Sequence, residues 1–317
     1  VTVETVLNAL RENGIEPHDK DVVAITESVV ARCQGNYATV AQISADVRAK
    51  TGGQTVGVTF PILSRNRFSL LLQGIAGGCK KVVLMLSYPS DEVGNHLVSM
   101  DQLDEADIDP WHDVLDLKRF RDAFGAVIHP FTGVDYVDYY KSIIEAAGAE
   151  AEIVFANRVQ AVLDYTDTVI CCDIHTRARS KRLLKATGAK TVLGLDDLLT
   201  APVDGSGYNP QYGLLGSNKA DDQRVKLFPR DAMAVAEGIG KAMSQINDAI
   251  MFHNCFDNVL EYCSDRDSAR AMKNLCAFFH DGTLDESFWG HIYNIGGGKA
   301  CRVDTYTMFR KLYGEIG

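Results

Sequence analysis

The sequence predicts an α/β protein: a mixed sheet with flanking helices, plus a smaller, mostly helical C-terminal segment. Three observations support this. Short runs rich in Val and Ile recur at 21–25, 55–60, 81–87, 151–155, 168–173 and 191–195, with the length and β-branched content of buried strands. Helix-period stretches fall between them, for example 64–76 and 178–187, and that alternation brings strands into one sheet with crossover helices. From Pro229 the pattern turns helical at 230–246, 264–279 and 304–313, interrupted by a strand at 291–295 that ends on Gly296, Gly297 and Gly298.

Two stretches break the periodicity. Residues 88–130 are acidic and loop-like, punctuated by Pro89, Pro110 and Pro130, with Trp111 available as an apolar anchor; a structural excursion is the expected reading and a lid the alternative. Residues 199–212 hold Pro202, Gly205, Gly207 and Pro210 in quick succession, which favours irregular backbone.

Composition narrows the function classes. With 317 residues, 46% hydrophobic and 23% charged, the chain can bury a sizeable core. A formal charge of -10 works against a broad nucleic-acid or membrane surface, because both partners are polyanionic. Eight cysteines without a C-x-x-C pair suggest reduced thiols. The N-terminal stretch carries Glu4 and lacks a basic start, unlike a signal peptide, and no apolar run reaches the roughly 18 residues needed to span a bilayer. A cytoplasmic, homo-oligomeric protein acting on a small molecule, with no nucleic-acid or membrane partner, is the expectation.

Neither G-x-x-x-x-G-K-[ST] nor G-x-G-x-x-G occurs, and G-x-S-x-G, H-E-x-x-H and paired Cys/His spacings are also missing. Gly74, Gly77 and Gly78 precede a strand, so they are read as a helix stop. Candidate chemistry lies at strand ends instead, where open α/β sheets bind ligands. Arg65 and Arg67, with Ser64 and Asn66, follow the strand ending at Phe60, so an anion could meet helix amides and two guanidiniums there; a solvated helix start is the alternative. Asp173 and His175 follow another strand and are candidates for proton exchange or for a divalent ion, with Arg177, Arg179, Lys181 and Arg182 on the next helix to face phosphate or carboxylate; a solvated basic helix is the alternative. Asp196, Asp197 and Asp204 flank a third strand end and are read either as a helix cap or as ligands of a hard cation.

The segment Gly213, Leu214, Leu215, Gly216, Ser217, Asn218, followed by Val225, Lys226, Leu227, Phe228, Pro229, Arg230, Asp231 and a helix, resembles the gamma-glutamyl ligases of coenzyme F-420 biosynthesis. So does the early strand-to-helix element running from Asp21 to Gly35 with Thr26, Ser28 and Arg32. The resemblance spans about residues 1–241 and defines an expected domain over 1–245. It implies amide-bond formation driven by a nucleoside triphosphate, typically GTP, with a divalent metal, Mg or Mn. It further implies that Thr26, Ser28, Arg32, Ser217 and Asn218 join Arg65, Arg67, Arg177 and Arg179 around nucleotide or phosphate. Leu215 stands where the family carries a metal-binding aspartate, and Arg32 where it carries a lysine, so the metal would fall to Asp173, Asp196, Asp197 or Asp204.

From Asp248 a second resemblance is carried by Ile250, Met251, Phe252 and His253, by Asn258, Val259, Leu260, Glu261 and Tyr262, by Asp267, Ser268, Ala269 and Arg270, and by Phe288, Trp289, Gly290, His291 and the residues to Gly297. It is similar to the C-terminal region of extended short-chain dehydrogenases, the NAD-dependent epimerase and dehydratase group, and assigns 246–317 to a second segment. That implies NAD or NADP, although the group's glycine-rich loop and Tyr-x-x-x-Lys pair do not occur in the chain. The ligase family's later Asp-Thr/Ser-x-Gly segment is also missing after Met243, so the expectation is a fusion with sequence absent near 244–248. A non-catalytic scaffold is the third reading.

Overall fold

In a computed structural model, residues 2–15, 22–130, 132–244 and 251–253 are described. The chain divides into two compact units, one Thr26–Val235 and the other joining Val1–Ile25 to Ala236–Gly317. In the latter, helix α1 (Thr2–Glu12) precedes β1 (Val22–Ala24), which pairs in parallel with β11 (Met251–His253).

The unit Thr26–Val235 is built on a sheet of six strands in the order β5-β6-β4-β3-β7-β8. Five of these strands are β3 (Thr55–Thr59), β4 (Lys81–Leu86), β6 (Glu150–Phe155), β7 (Thr168–Cys171) and β8 (Thr191–Gly194), and they run parallel; β5 (Leu115–Asp116) closes one edge antiparallel to β6. Side chains alternate between the two faces, as strand geometry demands. Val82, Leu84 and Leu86 of β4 enter the larger core with Ile43, Leu72, Ile75 and Tyr140, whereas Val83 and Met85 enter a second core with Val162 and Leu184. Both faces are covered, which is why the strands read as continuous apolar runs.

Helices α3 (Val40–Thr51), α4 (Ser69–Gly77) and α7 (Tyr136–Ala146) supply the first face, and α8 (Arg177–Ala186) with the 3-10 turn Val159–Asp164 the second. Gly74 and Gly77 serve a different purpose from the expected helix stop. They lie inside α4, where a Cβ on Gly74 would sit 2.6 Å from Ile43 Cγ2 and one on Gly77 2.6 Å from Ser44 Oγ, so they let α3 and α4 approach closely. Gly78 alone is the stop.

A smaller sheet orders β2 (Tyr37–Thr39), β10 (Arg224–Lys226) and β9 (Asn218–Lys219), antiparallel throughout. It packs with α2 (Glu27–Cys33). Residues 88–130 are more regular than the prolines suggest, holding α5 (Met100–Glu105), β5 and α6 (Leu117–Phe124). Its proline-bounded loops connect elements that bury Leu103, Leu115 and Phe120, while Trp111, the expected anchor, is 74% exposed. Helix α9 covers Ala232–Ser244. The expected elements at 264–279, 291–295 and 304–313 lie outside the described residues.

Candidate functional site

The strand order locates a crevice. After β3 the chain moves outward through β4 and β6, then returns to the other side of β3 to form β7 and β8. The connections leaving β3 and β7 therefore diverge, and ligands of open α/β sheets bind outside the C-terminal ends of such a strand pair. At the end of β3, Phe60 adopts φ 51, an uncommon conformation for a bulky residue, before Pro61 turns the chain. At the end of β7, Cys172, Asp173, Ile174, His175 and Thr176 lead into α8.

Asp173 is fully buried at this strand end. Its Oδ2 accepts from the Thr176 hydroxyl at 2.7 Å and the Ser180 hydroxyl at 2.8 Å, while Oδ1 has no partner. Burial pushes the Asp173 carboxyl above its ordinary range; the two hydroxyls pull it back and the nearby Glu92 charge adds to the rise. Glu92 comes from the turn after β4. Its Oε1 accepts from the Ile174 amide, and its Oε2 accepts from the His175 amide at 3.1 Å and lies 3.5 Å from the Thr176 hydroxyl. Asp91 beside it takes the opposite side of the crevice, accepting from the Leu63 amide at 2.8 Å, with its other bonds closed within its own turn by Val93 and Asn95.

Arg177 joins this strand end to a cavity. Its Nη1 donates to the carbonyls of Asp173 at 3.2 Å and Ile174 at 2.9 Å, and its Nε lies 3.0 Å from Asp196 Oδ1. A cavity of about 380 Å³ is lined by Arg177, Ala178, Lys181, Arg182, Lys185 and Asp196. Gly194 permits the arrangement, because a Cβ there would lie 2.2 Å from Asp196 Oδ1 and 2.6 Å from Arg177 Cδ. Four cations against one acid suit an anionic ligand. The neighbouring thiols are buried, and burial pushes Cys171 up to about 12 and Cys172 well above its ordinary value, which favours the protonated thiol.

A second cluster forms where the two segments of the ligase resemblance meet. Asn36, fully buried, donates to the carbonyls of Tyr208 at 3.0 Å and Phe228 at 2.6 Å, and its Oδ1 accepts from the Tyr208 amide and the Arg230 guanidinium. Gln34 exchanges two bonds with the Arg230 backbone, and Lys226 pairs with Glu27 at 2.6 Å with both side chains largely buried.

The family model for F420-0:Gamma-glutamyl ligase matches residues 2–251. The chain belongs to this family. No curated protein and no solved structure matches the chain. The family match runs past residue 245 to residue 251, through the first residues of the dehydrogenase resemblance. What remains of that resemblance, from Asn258 on, lies outside the described residues, and nothing in the comparisons supports it.

Within this ligase-family chain the predicted site residues fall into separate groups. Asp173, His175, Arg177 and Arg179 do share one strand end, with Asp173 buried and His175 and Arg179 exposed. Arg65 and Arg67 are exposed in a turn before α4, not on its first helical turn, since Ser64 Oγ accepts from the Arg67 amide and the helix starts at Ser69. That turn meets the Gly213 segment through the Lys219 amide, which donates to the Asn66 carbonyl at 2.8 Å. Ser217 is buried there with its hydroxyl unpartnered, and half-buried Asn218 folds back on the Gly216 carbonyl. Thr26, Ser28 and Arg32 belong to the start and exposed face of α2.

The metal reading of Asp196, Asp197 and Asp204 does not fit. Asp196 and Asp197 already face Arg177 and Lys181, and Asp197 Oδ2 also accepts from the Gly194 amide at 2.7 Å, closing the 3-10 turn Leu195–Asp197. Asp204 is exposed with φ 48, and its carbonyl meets Gln42 over α3. Leu215, at the family's aspartate position, is buried among apolar neighbours. Among the described residues no three His, Cys, Asp or Glu side chains gather as a metal site. Glu92, Gly194 and Asn36 were not among the predicted site residues. Lys181 and Arg182, expected with Arg177 to meet an anion, do line the cavity; Glu92 is 82 residues from Ile174 in sequence, and no local pattern marks it.

Proposed function

We propose that the chain is a nucleotide-dependent ligase that forms a gamma-glutamyl amide, with GTP activating a carboxylate of a small-molecule substrate. Family membership supports the ligase class. The observation that carries the finer reading is the cavity walled by Arg177, Lys181, Arg182 and Lys185 next to amides that already hold a carboxylate. In this reading GTP supplies the phosphoryl group: a substrate carboxylate oxygen bonds to the terminal phosphorus and GDP leaves. The glutamate nitrogen then bonds to the acyl carbon and phosphate departs.

The chain's own residues serve those steps by charge and position. The α8 cations offset the negative charge that gathers as phosphoryl oxygens meet a carboxylate, the type of stabilisation phosphoryl transfer depends on. Arg177, fixed by Gly194 and by two backbone carbonyls, sets one wall of the cavity. His175, exposed two residues before the cavity wall at Arg177, takes the proton that the attacking ammonium must lose. Asp173 positions Thr176 and Ser180 from below.

The test incubates the full chain with GTP, manganese, L-glutamate and coenzyme F-420-0, and follows GDP release together with a product heavier by one glutamyl residue. Both are expected. Absence of both products, with thermal stabilisation by NAD or NADP and none by GTP, overturns the reading.

A further inference from the structure

Trp111 is the most exposed large apolar side chain among the described residues, at 74%. A single exposed apolar side chain needs no explanation by itself. What sets this one apart is the backbone under it, which is tied down residue by residue. The Asp109 amide donates to Asp113 Oδ2 at 2.9 Å, and the Asp109 carbonyl accepts from the amides of His112 at 3.2 Å and Asp113 at 2.8 Å. The carbonyls of Pro110, His112 and Asp113 accept in turn from the Asn157 side chain at 3.0 Å, the Arg158 guanidinium at 3.3 Å and the Tyr88 hydroxyl at 2.9 Å. Tyr88, Asn157 and Arg158 lie within three residues of the ends of β4 and β6. Residues 109–113 are therefore fixed at the carboxyl end of the parallel strands, the end that also carries Asp173 and at which open α/β sheets take their ligands.

One carboxylate orders both neighbouring side chains. Asp109 Oδ1 accepts from the Trp111 amide at 2.8 Å, and Oδ2 lies 2.6 Å from His112 Nδ1. The His112 contact first and the Trp111 amide second hold the Asp109 carboxyl below its ordinary range. An ionised carboxylate only accepts, so Nδ1 carries the proton, and in the neutral imidazole Nε2 presents a lone pair. The His112 side chain is 80% exposed, which leaves that acceptor open to solvent. An indole and an oriented acceptor on adjacent residues of a fixed loop are in place before any ligand arrives, and such preorganisation lowers the entropic cost of binding.

We propose that residues 109–113 form a binding site for the planar heteroaromatic ring of a small molecule, which stacks on Trp111 and donates a ring N–H to His112 Nε2. The indole offers a broad face for stacking. The acceptor selects a ring that carries an imide or lactam N–H, as guanine and flavin-type rings do, over one with that nitrogen blocked. The inference concerns ring binding alone and goes beyond the amide-forming reaction; it needs neither turnover nor the α8 cations.

The experiment is equilibrium dialysis of the full chain against riboflavin, guanosine and their N-methylated counterparts, N3-methylriboflavin and 1-methylguanosine, at about pH 8, where an imidazole is ordinarily neutral. The wild type should bind riboflavin or guanosine, and the tighter of the two assigns a flavin-type ring or a nucleotide base. Trp111→Ala should weaken that binding about tenfold while melting as the wild type does. Methylation of the ring nitrogen should cost about fivefold in the wild type, and this preference should vanish in His112→Ala and in Asp109→Asn, where an amide donating to Nδ1 turns Nε2 into the donor. A merely structural Asp109 would weaken both rings alike and keep the preference. Failure of the wild type to bind either ring, or binding that Trp111→Ala leaves unchanged, overturns the proposal, and equal binding of the methylated ring overturns the role of His112. Should a second copy of the chain cover the indole instead, neither ring binds and sedimentation shows a dimer that Trp111→Ala dissociates.

Discussion

Asp135, half-buried, and Asp173, fully buried, are both carboxylates ahead of a helix, and they are treated in opposite ways. Asp135 caps α7 and spends both oxygens: Oδ1 accepts from the amides of Val137 and Asp138 and from Arg121, and Oδ2 accepts from Arg121 at 2.8 Å and the Val127 amide at 2.9 Å. Burial alone would raise it, but the Arg121 guanidinium and the amides outweigh burial and hold Asp135 below its ordinary range. Asp173 has two hydroxyls and no cation, an unbonded oxygen and another carboxylate nearby, and it is held above that range. The difference separates a group whose every oxygen is spent on holding the fold together from one buried with an oxygen left unbonded.

The largest expected effect lies on the settled side. Asp135→Ala leaves Arg121 largely buried without its main partner and uncaps α7, and should cost about 3 kcal/mol in urea unfolding. Because the folded value is depressed, this contribution is present above the ordinary value of 3.8 and is lost as pH falls through the lower folded value. A loss under about 1 kcal/mol would erase the contrast.

Asp173→Asn tests the other side. It keeps an oxygen for Thr176 and Ser180 and removes a charge that burial disfavours, so unfolding free energy should change by less than about 1 kcal/mol near neutral pH. Ligase turnover should fall about a hundredfold if this strand end is the reaction site. The folded value is raised, so the wild type loses stability relative to Asp173→Asn as pH climbs from the ordinary 3.8 through the higher folded value. Melting curves of both proteins from about pH 4 to about pH 8 check the sign; a stabilising Asp173 at the upper end would contradict the reading.

The sheet was legible because burial on both faces makes each parallel strand a short apolar run; β3, β4, β6, β7 and β8 fall within a residue or two of the runs that predict them. The strands β2, β9 and β10 were not, since three or fewer residues carry no periodicity. Prolines hid α5, β5 and α6, whose burial comes from tertiary packing of Leu103, Leu115 and Phe120. The β7 end was legible as Asp173, His175 and a basic helix at a strand terminus. Glu92 and Asn36 were not, because each acts through bonds to residues 82 to 194 positions away. Asp196 and Asp197 illustrate the converse: acids side by side suggested a cation, and the cations they meet are Arg177 and Lys181.

The smallest expected effect separates two arginines that the sequence treats alike. Arg177 is half-buried and fixed by Asp196, by two carbonyls and by the space Gly194 leaves, whereas Arg179 is exposed and does not line the cavity. A positioned guanidinium offers its charge without the cost of ordering a free side chain. Arg177→Ala should therefore weaken GTP binding about tenfold and Arg179→Ala less than about twofold, read by calorimetry. The two substitutions should combine without further loss. Equal effects would mean that the strand end contributes only a diffuse positive field, and the distinction between a positioned and a solvated charge at this site would fail.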